Sequence, residues 1–153
     1  MKKIIFTINI AFITICANAQ QLKVEDVPYS VKSNFSLIYP NVINVKWEIE
    51  NGMYEAEFYQ NNVETSVLFG ANGTFVRKEL EILTSELPEE VKKYASENLP
   101  GKKINEASVI TDANGVVTYE AEIGNKDFVF DQYGIFLKKE SDENDGSEDD
   151  DGK

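Results

Sequence analysis

The sequence predicts an α+β fold of two tandem repeats, each one helix followed by a four-stranded antiparallel meander. Three observations predict it. The first is recurrence of blocks in one order. Val27-Pro28, Val31 and Tyr39-Pro40 return 60 positions on as Leu87-Pro88, Val91 and Leu99-Pro100. Tyr54-Glu55-Ala56-Glu57 returns as Tyr119-Glu120-Ala121-Glu122, and Gly73-Thr74-Phe75-Val76-Arg77-Lys78-Glu79 as Gly134-Ile135-Phe136-Leu137-Lys138-Lys139-Glu140. Matched blocks in fixed order mark a duplicated unit. The second is helical spacing of apolar residues at the start of each unit. The third is strict alternation after it, punctuated by Asn and Gly turns.

The chain opens with a segment of another kind. Lys2 and Lys3 precede an apolar run from Ile4 to Cys16, and Ala17-Asn18-Ala19 places small residues where a signal peptidase reads them. This is the pattern of a bacterial secretory leader, too short to span a bilayer, with cleavage expected after Ala19. A lipoprotein reading of Cys16 is set aside because Ile15, just before it, is large. Removing residues 1–19 leaves 134 of the 153 residues, in a periplasmic or secreted compartment. The leader takes two lysines and no acids with it, so the formal charge moves from −12 to −14.

The first unit is expected over 20–83. Val27, Val31, Phe35 and Ile38 share one helix face, Pro28 suits a first turn, and Asp26 can serve the free amides there. Pro40 ends the pattern, so a helix is expected near 28–39. Val45, Trp47 and Ile49 then alternate with Lys46, Glu48 and Glu50 up to Asn51-Gly52, a strong hairpin signal because both turn residues take positive φ. A two-residue turn there puts Ile49 opposite Tyr54, Trp47 opposite Ala56 and Lys46 opposite Glu57. A second turn at Asn61-Asn62 puts Tyr54 opposite Phe69, Ala56 opposite Val67 and Phe58 opposite Thr65. Every apolar member of these pairs falls on one face, so turn chemistry and hydrophobic register agree. Ala71-Asn72-Gly73 makes a third turn before a strand at 74–82.

The second unit is expected over 84–140. Leu87, Val91, Ala95 and Leu99 line a helix near 88–98 that Pro100-Gly101 ends. Asn114-Gly115, Gly124-Asn125 and Gln132-Tyr133-Gly134 are its turns. Residues 141–153 hold seven acids, one lysine and no hydrophobic residue, the composition of a disordered acidic tail. An EF-hand register fails there, because Gly146 at the sixth position puts Gly152 where the loop needs glutamate.

Composition removes whole chemistries. The chain has no histidine, and its single cysteine leaves with the leader. Thiol nucleophiles, Ser-His-Asp triads, imidazole bases and ordinary zinc sites are therefore out of reach of the exported chain. It carries no nucleophile elbow, Walker loop or dinucleotide fingerprint, so no enzyme activity and no cofactor is expected. Strong acidity opposes nucleic acid and anionic membrane surfaces, and suits a basic partner or solubility alone.

The set Val27-Pro28, Tyr39-Pro40, Val45-Lys46-Trp47-Glu48, Tyr54-Glu55-Ala56-Glu57-Phe58 and Asn72-Gly73 resembles the PepSY-like family of exported Gram-negative proteins, described as β-lactamase-inhibitor-like. The resemblance covers nearly the whole exported chain, twice, up to about Glu140. It implies a periplasmic, non-enzymatic α+β protein and carries over no catalytic residue. The second copy departs from the pattern, with Ser108 or Ala107 in place of Trp47 and a longer first hairpin.

The candidate site lies on the polar side of the strands. Glu48, Glu50, Glu55 and Glu57 share the polar face of the first hairpin, with Glu48 directly opposite Glu55, a like-charge pair that costs stability. Glu120 and Glu122 extend that face. The bland reading is a solvated sheet face. The functional reading is a docking face for a basic protein or peptide, or alternatively for Ca²⁺ held with the acidic tail; no defined metal site is assigned. A glycosidase reading of the paired carboxylates is set aside for want of a pocket. Tyr59 and Leu68 fall at the edge of the acidic face and are the apolar contact candidates, whereas Trp47 is expected in the core. Arg77, Lys78, Lys138 and Lys139 are expected to blunt edge strands. Asn34-Phe35-Ser36 and Asn72-Gly73-Thr74 match the N-glycosylation pattern by chance in a bacterial chain.

Overall fold

A computed structural model describes residues 20–140, so the expected leader at 1–19 and the expected tail at 141–153 lie outside the described residues. Among the described residues nine strands and two α-helices follow in order: β1 (Gln20–Leu22), α1 (Tyr29–Ile38), β2 (Lys46–Glu50), β3 (Met53–Gln60), β4 (Val63–Phe69), β5 (Phe75–Glu81), α2 (Glu89–Asn98), β6 (Ile104–Asp112), β7 (Val117–Ile123), β8 (Asp127–Asp131) and β9 (Phe136–Lys139). All nine strands form one antiparallel sheet in sequence order. This corrects the expectation of two helix-plus-four-strand repeats. β5 pairs with β6 across the expected boundary, Arg77 opposite Asp112 and Leu80 opposite Val109, so the meanders are one sheet. An unexpected strand, β1, extends it further, with Leu22 opposite Trp47. The physical reason is that an open strand edge is a row of unmet backbone donors and acceptors, which pairing satisfies.

Both helices begin directly after a proline whose φ, −53° at Pro28 and −51° at Pro88, is set by its ring. Asp26 does not cap α1 as expected. It closes a short 3-10 turn over Val24–Asp26, its amide donating to the Lys23 carbonyl at 2.9 Å, and no side chain caps the helix. At the far ends the amides of Tyr39 and Leu99 donate to the carbonyls of Phe35 and Ala95.

The expected hairpin turns form with the required backbone. Asn51 and Gly52 have φ of 50° and 78°, and Asn61 and Asn62 of 53° and 65°. The resulting registers, Trp47 opposite Ala56, Lys46 opposite Glu57, Ala56 opposite Val67 and Phe58 opposite Thr65, are those the turns predict.

Both helices pack on one face of the sheet. Val31 and Phe35 of α1, with Tyr39 at its end, pack on Trp47, Ala56, Phe58, Val67 and Phe69. Val91 and Ala95 of α2 pack on Ala107, Ala121, Ile123, Phe128 and Phe130. Ile38, expected on the buried stripe of α1, is 48 % exposed; Tyr39 turns inward in its place because the helix ends at Ile38. Ala107 pairs with Ala121 as Trp47 pairs with Ala56, so Ala107 is the counterpart of Trp47, and Ser108 faces the other side. Phe35 likewise corresponds to Ala95. Two large facing residues in the first half are thus matched by two small ones in the second, which preserves complementarity at each helix–sheet contact.

Candidate binding face

Because α1 and α2 share one face, the other carries no helix among the described residues. Parity assigns its side chains. Glu48, Glu55, Leu68, Arg77 and Asp112 form one row across β2 to β6, and Lys46, Glu57, Ser66, Glu79, Ile110 and Thr118 form the next. Glu81, Ser108, Glu120 and Val129 continue on the second half, followed by Glu106 opposite Glu122.

This face is acidic with few cations. Lys46 Nζ lies 2.8 Å from both Glu48 Oε1 and Glu57 Oε2. Arg77 Nη2 donates to both carboxylate oxygens of Glu50 at 3.2 Å, and its Nη1 lies 4.0 Å from Glu79 Oε2. The Ser66 hydroxyl donates to Glu55, and Ser108 hydrogen-bonds Glu79. Glu122 accepts from Asn105 Nδ2 at 2.7 Å. Facing oxygens of Glu48, Glu55 and Glu57 all lie within 4.8 Å of one another, close enough to surround a single cation. The Lys46 ammonium already contacts two of the three.

Several expected site residues change role. Glu48 and Glu55 are not solvated as the bland reading supposes; they are buried, at 6 % and 8 % exposure. Leu68 is a correction: at 3 % exposure it is no contact residue. It sits between Glu55 and Arg77 in its row, and the stems of long charged side chains cover apolar neighbours. Tyr59 is exposed, its hydroxyl donating to Glu64 Oε2 at 2.7 Å. Arg77 and Lys78 do not blunt an edge, because β5 lies inside the sheet; Lys138 and Lys139 do lie on an outermost strand.

The groups that sequence reasoning missed are Arg77, Glu79 and Ser108 at the β5–β6 junction. They bring Glu79 within electrostatic reach of Glu120. The matched blocks name these residues, but only the unanticipated pairing of β5 with β6 places them together.

Crowding of carboxylates has a measurable result. Burial pushes Glu55 up to about 7, with Glu50, Glu57 and Glu79 adding to the rise and the Ser66 hydroxyl opposing it. Burial likewise pushes Glu120 up to about 8, helped by Glu79 and Asp127 and opposed by Arg77. Glu79 is also raised, by burial first, against the pull of Arg77 and Ser108. Burial lowers the Arg77 guanidinium, but the surrounding carboxylates outweigh it and the net shift is upward.

An unfolded glutamate releases its proton near 4.5. Between that value and about 7 to 8 the folded chain holds protons that the unfolded chain has lost, so stability falls as pH rises through this window. Urea unfolding is expected to give a stability lower by several kcal/mol at about pH 8 than at about pH 5. Glu120→Gln should flatten that slope. A slope of opposite sign would contradict the assigned burial.

The fold and this face define a class: a single antiparallel sheet backed by two helices, with the opposite face open and acidic. No family model matches the chain, and no curated protein matches it. Solved structures do. A protein from Bacteroides eggerthii described as periplasmic superposes with a TM-score of 0.67 at 19 % identity, over 74 % of this chain and 88 % of that one. A DUF2874 family protein from Bacteroides uniformis gives a TM-score of 0.66 at 19 % identity over the same shares. A BLIP-like protein from Bacteroides fragilis gives 0.58 at 20 % identity, over 72 % of this chain and 83 % of that one. At these identities the likeness is one of fold. No helix among the described residues is long and apolar enough to cross a membrane.

Proposed function

We propose that the chain is a non-enzymatic, exported, BLIP-like binding protein whose helix-free sheet face receives a basic segment of a protein or peptide. The observation that carries this reading is the charge imbalance of that face. Glu48, Glu50, Glu55, Glu57, Glu79, Glu120 and Glu122 share it with Lys46, Arg77 and, on the outermost strand, Lys138. Like charges held together at partial burial are relieved by an incoming cation. The BLIP-like and periplasmic neighbours support the class and the compartment at the level of fold.

The test is calorimetric titration with a lysine-rich peptide at low and at physiological salt. Binding is expected to weaken with salt and to be lost when Glu48, Glu55, Glu57, Glu120 and Glu122 become Gln. Near neutral pH it should also release protons, because the incoming cation ionises Glu55 and Glu120. Absent binding, or binding unchanged in the Gln variant, would refute the proposal.

A second reading, Ca²⁺ binding, draws on the Glu48, Glu55 and Glu57 oxygens. Calcium would have to displace the Lys46 ammonium. Titration with CaCl₂ separates the two: heat from calcium that grows in Lys46→Met supports the metal, and no heat in either protein dismisses it.

A further inference from the structure

We infer that the outer edge of β9 accepts one more strand, supplied by an extended peptide that pairs as β6 pairs with β5 and places an acidic residue opposite Lys138. The inference rests on backbone pairing at the end of the sheet and does not require the acidic face to receive a basic segment, although Lys138 lies at the rim of that face.

The residues of β5 and β9 match through the blocks Gly73–Glu79 and Gly134–Glu140, and their surroundings match as well. Both strands follow a turn glycine at φ 84°. Both meet the preceding strand through the same register shift, Arg77 opposite Leu68 then Phe75 opposite Phe69, and Lys138 opposite Val129 then Phe136 opposite Phe130. They differ on the outer side. The edge of β5 is taken by β6: Asp112 lies opposite Arg77, Thr111 opposite Lys78, and the Ala113 amide donates to the Val76 carbonyl at 2.9 Å. β9 ends the sheet, and among the described residues no strand lies beyond it.

Exposure records the difference. Phe75 to Lys78 are all half-buried, whereas Phe136 to Lys139 are all exposed. Leu137, the counterpart of Val76, is 53 % exposed. The Glu140 amide donates inward to the Asp127 carbonyl, so by alternation the backbone of Leu137 points outward, as that of Val76 does toward β6. Tyr133 and Ile135 are exposed beside it, a small apolar surface at a strand edge.

The occupant follows from what each alternative would meet. A second copy cannot offer its β6, which is interior in every copy. Pairing β9 with the β9 of another copy about a centre at Lys138 would set lysine against lysine, which is destabilising. Lys138 Nζ already lies 2.7 Å from Glu140 Oε1 on its own strand, and an acid on an added strand would share that ammonium. β6 shows the pattern once already: β-branched Val109, Ile110 and Thr111 lead to Asp112, with no proline to interrupt the ladder.

The test is titration of the isotope-labelled full chain with a synthetic peptide copying residues 106–114, followed by amide NMR. Saturable shifts are expected at Leu137 to Glu140 and in β8. Leu137→Pro should weaken binding at least about tenfold, the effect of losing a ladder hydrogen bond and adding a clash. Lys138→Glu, a milder change at an exposed side chain, should weaken the native peptide, and a peptide carrying Asp112→Lys should restore binding to that variant. No shifts, shifts away from β9, or shifts indifferent to Lys138→Glu would overturn the inference. So would concentration-dependent sedimentation of the protein alone that Leu137→Pro abolishes, since the edge would then belong to a second copy.

Discussion

Phe35→Ala is expected to destabilise the fold by about 3–5 kcal/mol, read as a lowered urea midpoint at unchanged slope. Phe35 is 4 % exposed and sits at the centre of an aromatic cluster. Its ring lies 5.3 Å from Trp47 and from Phe58, both edge-on, 5.4 Å from Tyr39 and 6.4 Å from Phe69. Removing it opens a cavity whose rigid ring walls collapse poorly, the condition under which large-to-small changes cost most. The second half tests the same idea in reverse. Ala95 and Ala107 occupy the places of Phe35 and Trp47, and Tyr94 reaches sideways to stack on Phe136 at 4.8 Å. Ala95→Phe alone should therefore overpack that contact. A loss under about 1 kcal/mol for Phe35→Ala would mean that α1 is not held by this cluster.

Gly73→Val is expected to cost at least about 3 kcal/mol, by two additive causes. Gly73 has φ 84°, a conformation a β-branched residue strongly avoids. A Cβ there would also lie 2.6 Å from the Ser30 carbonyl oxygen and 2.7 Å from Asn34 Nδ2. The Asn34 amide donates to the Gly73 carbonyl at 2.9 Å, and the Ser30 hydroxyl donates to the Ala71 carbonyl at 3.0 Å, so the turn is tied to α1 where the side chain would intrude. Gly115 is the control. It has a similar φ of 80° with nothing within 4 Å of where a Cβ would stand, so Gly115→Ala should show the conformational cost alone, about 1 kcal/mol. Thermal unfolding of the pair separates backbone strain from steric contact.

What could be read in the chain was local. Asn51-Gly52 and Asn61-Asn62 dictated two hairpins and, with them, the partners that β2, β3 and β4 find in one another. The helix starts at Pro28 and Pro88 were legible to within a residue. The acidic face was legible as a set of residues but not as an environment. Glu48 and Glu55 read as solvated and are buried; Leu68 read as a contact and is covered. Both errors came from reading a helix-free sheet face as solvated, whereas long side chains of neighbouring rows cover it.

By itself, then, the sequence determined the turns, the alternation of faces, the helix spans and the absence of imidazole chemistry. Each depends on residues within a few positions of one another, where closing the chain costs little entropy and one φ preference decides the outcome. The tertiary structure alone decided that β1 joins β2 and that β5 joins β6. No turn residue specifies the β5–β6 pairing, since α2 and its flanking loops separate the strands. It satisfies the two strand edges that separate meanders would leave open, with both helices on the same face. That junction turns two meanders into one sheet, gathers Arg77, Glu79, Ser108 and Glu120, and leaves β1 and β9 as the outermost strands among the described residues.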